Sequence, residues 1–140
     1  MAKLDINLKF LEKYRNEGLL LLRVGVGINY ILIHGWGKIT GGVERWASLG
    51  QVMPDFGHDE ISIFWGLMAA LAESLGALLF VLGYKFRFVS AVLGFTMLVA
   101  VYAHLSGGDS WGQAAQALKM VFVFFGMMMI GSGKYALDKN

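Results

Sequence analysis

No cysteine occurs among the 140 residues, which excludes a disulfide framework, a CxxC redox pair, a thiolate zinc site and an iron–sulfur cluster supplied by this chain. Charge is scarce as well. Asp, Glu, Lys and Arg make up 16% of the sequence, against about 25% in an ordinary soluble domain. With 56% hydrophobic residues and a mean hydropathy of +0.57, much of the chain must have lipid as its solvent. Twelve Lys and Arg nearly balance ten Asp and Glu, so no basic excess of the kind that binds nucleic acid is present and no nucleic-acid partner is expected. Internal repeats, low-complexity tracts and an interdomain linker are also lacking, and the length suits one domain.

What is present is a set of long apolar runs. A bilayer core about 30 Å thick needs roughly 20 apolar residues at about 1.5 Å rise each. Four segments meet that requirement, at about 18–38, 61–83, 87–105 and 113–131. None alternates with period two, as a barrel strand would, so helices are expected. The predicted fold is all-α, an antiparallel four-helix transmembrane bundle, preceded by an amphipathic segment 1–17. In that segment Leu4, Leu8 and Leu11, with Phe10 and Tyr14, form a stripe suited to the inner membrane surface. No cleavable signal peptide is expected, because Arg23 interrupts the first run and no small-x-small site follows. In the long outer connection Val43, Trp46, Ala47 and Gly50 have helical spacing, which predicts a short interfacial helix ended near Pro54-Asp55.

Short positively charged loops stay cytoplasmic. Lys3, Lys9, Lys13, Arg15, Lys85, Arg87, Lys134 and Lys139 flank one side of the spans, whereas only Lys38 and Arg45 flank the other. Both termini are therefore expected in the cytoplasm, with the chain in the inner membrane. Trp36, Trp46, Trp65 and Trp111 then fall in or beside the outer connections, as an aromatic belt requires.

Ionisable residues inside a span are costly and need a reason. Counting from the inner boundary at about 1.5 Å per residue places Arg23 roughly 8 Å up, Glu73 roughly 15 Å, Lys119 roughly 22 Å, and His34 and His104 roughly 24 Å. Arg23, Gly27, Tyr30, His34 and Lys38 share one helical stripe, which should face the bundle interior. Gly66, Ala69, Ala70, Glu73 and Ala77 form a small-residue face around the carboxylate, and Met97, Ala100 and His104 share a side of the third span. The outer half should thus collect His34, His104, Lys119, Tyr30 and Glu73, with Arg23 nearer the cytoplasm. Arg23 either snorkels to headgroups or pairs with Glu73, Lys119 snorkels outward or joins a site, and the partner of Glu73 stays open among Arg23, Lys119 and a histidine.

Other chemistries find little support. Two histidines at similar depth do not establish a haem, and no CxxCH occurs. The set His34, His104 and Glu73 is spread over about two helical turns, so no metal site is expected. Gly131-Ser132-Gly133-Lys134 lacks the spacing of a phosphate loop and reads as the turn ending the fourth helix, with Lys134 suited to a helix C-terminus.

The chain resembles the DoxX family of small four-span membrane proteins. The likeness rests on Leu22-Arg23-Val24, Ile33-His34-Gly35-Trp36-Gly37-Lys38, Ala72-Glu73-Ser74-Leu75-Gly76, Leu82-Gly83, Arg87, His104 and the ending from Gly131 to Asp138. Ala136 stands where the family often has serine. The resemblance implies a quinone-linked or oxidoreductase-associated membrane protein, some relatives being the membrane subunit of a thiosulfate:quinone oxidoreductase.

On this basis the leading expectation is a quinone-like molecule held in an outer-half polar pocket. His34, His104 and Glu73 would act on it, Arg23, Tyr30, Lys38 and Lys119 would contribute to binding, and a redox protein partner would supply electrons. The alternatives are a non-catalytic scaffold or assembly subunit and a small proton-coupled transporter, the latter requiring a homo-oligomer because four spans are few for transport.

Overall fold

A computed structural model describes residues 8–54 and 58–138. Among them are five helices and no strand. Helix α1 runs Lys9–Ile39, α2 Gly42–Gly50, α3 Asp59–Leu82, α4 Phe86–Ser106 and α5 Trp111–Ile130. Helices α1, α3, α4 and α5 are each long and apolar enough to cross a bilayer, and their order gives the expected antiparallel bundle. Leu4, Lys3, Asp55 and Lys139 lie outside the described residues. Leu8, just before α1, and Phe10, Leu11 and Tyr14, on the 3-10 stretch Lys9–Tyr14 that forms its first part, are exposed.

Four aromatic rings organise the core. Phe80 of α3 stacks on Phe86 of α4 with centroids 4.9 Å apart, and meets the edge of Phe124 of α5 at 5.4 Å. Tyr30 of α1 approaches the same Phe124 edge-on at 5.2 Å. One ring therefore ties three helices, and burial of such rings is a large apolar contribution. Helices α1 and α3 close tightly where Gly27 faces Ala77 and Val81, because a Cβ at Gly27 would collide with the Val81 side chain.

Helix α2 differs from the expected interfacial helix. It lies flush against the first half of α3, with Gly50 on the Ser62 backbone and Gly66 on the Trp46 backbone, positions where any Cβ would clash. The match of Trp46 to Gly66 and Gly50 to Ser62 makes α2 antiparallel to α3, so it continues the direction of α1. It also stops at Gly50, ahead of Pro54. Small residues at that seam let backbones approach more closely than interfacial packing on lipid headgroups would require.

The opposite end of the bundle is knitted by polar groups. Gly83, at φ +67°, ends α3 with Gly83 N–H donating to Phe80 O and Tyr84 N–H to Leu79 O, a left-handed cap that glycine adopts easily. The segment after α5 folds back on this turn through Leu137 N–H to Leu82 O and Asp138 N–H to Gly83 O. Asp138 then accepts from the backbone N–H of Lys85 at 2.9 Å and Phe86 at 2.8 Å, capping the start of α4. Arg87 donates to the Met128 and Met129 carbonyls at the end of α5. The start of α1, the α3–α4 turn and the segment after α5 thus share one end of the bundle.

Candidate functional site

The first and second spans each contain one π-helical stretch, Tyr30–Gly35 in α1 and Ala72–Gly76 in α3. The two lie against each other, and Gly35 abuts the Glu73 carbonyl so closely that a Cβ would collide with it. A π segment shifts the phase of the side chains that follow and is common where a helix carries function. Glu73 is buried among the helices, and its carboxylate receives Lys38 Nζ at 2.6 and 2.7 Å. The Glu73 side chain is 2% exposed and that of Lys38 21%. A buried carboxylate without a cation would be strongly disfavoured, so this pair answers the question left open by the sequence. The partner of Glu73 is Lys38, and it is neither Arg23, Lys119 nor a histidine.

Around the pair lies a cavity of about 320 Å³ between α2, α3 and α4. Lys38 and Glu73 form one polar edge of it. His104 and Asp109 form another polar edge, joined by His104 Nδ1 and Asp109 Oδ2 at 2.7 Å. Ala69, Thr96 and Val99 supply part of the wall, and the same three residues line a second, apolar cavity of about 210 Å³ with Trp65, Met68 and Phe95. Trp65 Nε1 is buried with no hydrogen-bond partner, an unusual state for an indole N–H. The cavities exist because α3 and α4 pack closely at Phe80 and Phe86 but separate toward the start of α3, where α2 covers the gap. Trp46 Nε1 donates to the Lys38 carbonyl at 2.9 Å, fastening α2 to the end of α1 above the ion pair.

Other residues singled out by the sequence lie elsewhere. The stripe Arg23, Gly27, Tyr30, His34, Lys38 does face inward: the first three are buried and the last two half-buried. Tyr30 Oη donates to Met97 Sδ at 3.0 Å, and its ring lies 4.9 Å from that of His34. That histidine is absent from the walls of both cavities, so the structure brings together Lys38, Glu73 and His104 and leaves His34 against Tyr30. Lys119 is exposed on α5 and does not join them.

Arg23 neither snorkels nor pairs with Glu73. It is 2% exposed, and its guanidinium donates to the carbonyls of Val81 at 3.0 Å, Ser132 at 2.6 Å and Tyr135. A planar fork of five N–H donors suits such a set of acceptors. This is a clamp between α1, the end of α3 and the segment after α5, remote from the cavity. Beside it Tyr135 Oη donates to Glu17 Oε1 at 3.1 Å, and that bond raises the Tyr135 pKa.

Asp109 was not foreseen as a site residue. It follows the end of α4, where Gly108 at φ +89° turns the chain and Asp109 N–H donates to His104 O. An acid five residues after a histidine is off the helical stripe, and only that glycine turn returns it to the imidazole. No cluster of three or more His, Cys, Asp or Glu able to hold a metal occurs among the described residues.

A family model described as DoxX matches residues 18–105. The match takes in α1 from Gly18 onward, α2, α3 and nearly all of α4, and hence Lys38, Glu73 and His104. It ends before α5 and the turn from Gly131 to Asp138, a shorter reach than the resemblance read from the sequence. No curated protein and no solved structure shows a significant match.

Proposed function

The chain belongs to the DoxX family, and from that premise we propose that it is a multi-pass inner-membrane protein, termini cytoplasmic, that binds a quinone-like molecule in the outer cavity as part of a redox complex. What supports this most is the junction, through Ala69, Thr96 and Val99, of a cavity edged by Lys38, Glu73, His104 and Asp109 with an apolar one. A quinone has the same division, with carbonyl acceptors on the ring and an apolar tail. When bound, it takes up two electrons and two protons, the electrons coming from a redox protein partner.

The residues fit that occupant. Lys38 Nζ and the His104 ring donate to ring oxygens, and Glu73 holds or passes a proton at its carboxylate. Asp109 accepts from Nδ1–H, so the Nε2–H that donates to the ligand is that of the imidazolium, whose charge the carboxylate balances. His34, which the sequence made equivalent to His104, has no part in this assignment because it lines neither cavity.

A structural role for the buried polar groups is the second reading, favoured at the other end of the bundle by Arg23, whose donors are taken up by backbone carbonyls. Extraction of quinone from protein purified in mild detergent separates the two. Near-stoichiometric quinone, lost on filling the cavity with Ala100→Trp while the protein stays folded, supports the binding role. Absence of quinone together with no uptake of added short-tailed analogue leaves the structural one.

A further inference from the structure

The lipid-facing side of α1 carries a pattern that neither the bundle nor the cavity uses. Gly18, Leu22, Gly25 and Asn29, all ahead of the π segment, step by 4, 3 and 4, the a/d spacing of a helix-pairing seam, and all four are exposed. At Gly18 and Gly25 nothing lies within 4 Å of where a Cβ would stand. Small residues on an outward face allow a second helix to approach, but they do not by themselves say that one does.

Asn29 supplies that information. Its neighbour Tyr30 bonds to Met97, which sits near the midpoint of Phe86–Ser106, so Asn29 lies near the bilayer centre. It is exposed, and its amide has no hydrogen-bond partner among the described residues. An amide has both donors and an acceptor, and hydrocarbon satisfies neither. Gly25, Val26, Asn29, Tyr30 and Met120 line a groove of about 240 Å³ at the same level.

We infer that α1 is a homodimer interface in which a second copy of this chain packs its own Asn29 against this one. Two copies inserted with the same topology present parallel α1 helices, and a two-fold axis brings equal seam positions together. Asn29 then meets Asn29, and each amide donates to the other's carbonyl. An amide is self-complementary, so a second copy satisfies it without a further polar residue. A single asparagine at such a position also fixes register and pair number. This interface is independent of what the outer cavity binds.

The natural absence of cysteine makes the test clean. Single variants Asn29→Cys, Phe95→Cys and Phe122→Cys are oxidised in native membranes and run on denaturing gels. Asn29→Cys should form a covalent dimer at least tenfold faster than the other two, which replace exposed residues on α4 and α5. Asn29→Leu should weaken dimerisation about 3- to 30-fold in nanodiscs or detergent, as removal of an interhelical hydrogen bond does. Gly25→Leu, which the monomer has room for, should weaken it further by holding the helices apart. Equal crosslinking at the three positions, a monomeric wild type, or dimerisation unmoved in both Asn29→Leu and Gly25→Leu overturns the inference. So does an Asn29→Cys crosslink only to a different protein.

Discussion

Lys38 reaches both oxygens of Glu73 from a point 35 residues earlier in the chain, at 2.6 and 2.7 Å, and the two are unequally shielded, with Glu73 at 2% and Lys38 at 21% side-chain exposure. That inequality sets how each half fails alone. Lys38→Met leaves a carboxylate enclosed by helices, and removal of one member of a buried pair typically costs about 3–5 kcal/mol. Glu73→Gln leaves an ammonium that can turn toward the outer surface, so its cost should be the smaller of the two. The double variant should recover most of the loss from Lys38→Met. Thermal melts in one detergent give the ranking. A greater loss in Glu73→Gln than in Lys38→Met would mean that the lysine is the trapped partner.

Arg23 should matter for stability and not for the cavity. Its replacement by alanine strips donors from the Val81, Ser132 and Tyr135 carbonyls, and unsatisfied buried acceptors cost about 1–3 kcal/mol each. We expect Arg23→Ala to lose about 3 kcal/mol or more and Arg23→Lys, with one ammonium in place of a fork, to rescue only part of it. Proteolysis after Gly131 should accelerate in both. Loss of ligand binding in a still-folded Arg23→Lys protein would contradict this division of labour.

Asp138 makes the same end acid-sensitive. Backbone N–H donation from Phe86, then that from Lys85 together with the charge of Lys85, holds its pKa below the ordinary 3.8 despite some opposing desolvation. A folded pKa below the unfolded one stabilises fully above the unfolded value and is lost as pH falls through the folded one. The hold on the α3–α4 turn should therefore weaken below about pH 4, seen as faster amide exchange at Lys85 and Phe86. In Asp138→Ala exchange should be fast at neutral pH, with no further acid-dependent step at these amides. A persistent acid step in that variant would assign the effect to another group.

Membrane orientation is open to a direct check. Single cysteines placed at Gly108 and Gln51 should react with an impermeant maleimide from the outside of intact cells, whereas one at Lys85 or Lys134 should react only after lysis. The reverse pattern would turn the molecule over and place the cavity on the cytoplasmic half.

The four spans were legible because run length against bilayer thickness is a strong constraint, and the inward stripe of α1 was legible because 3.6-residue periodicity holds from Arg23 to Tyr30, while His34 and Lys38 beyond it are only half-buried. Relative depth was not. The first apolar run begins at Gly18, but Arg23 is the residue level with the end of α3, since it bonds Val81 O. Counting from Gly18 therefore set every α1 residue roughly 8 Å too far outward, which hid Lys38 as the partner of Glu73. The π segments Tyr30–Gly35 and Ala72–Gly76 add a local change of phase that uniform counting misses. Asp109 was hidden for a different reason, because it reaches His104 only through the turn at Gly108.

The most direct test of the account is equilibrium binding of a short-tailed quinone analogue to purified protein in nanodiscs, comparing wild type with His104→Ala, His34→Ala and the cavity-filling Ala100→Trp. The cavity reading predicts saturable binding to wild type, a roughly tenfold loss in His104→Ala, as one net hydrogen bond of about 1.4 kcal/mol implies, little change in His34→Ala, and none bound to Ala100→Trp. Absence of saturable binding to wild type, or equal affinity in all four proteins, would contradict it.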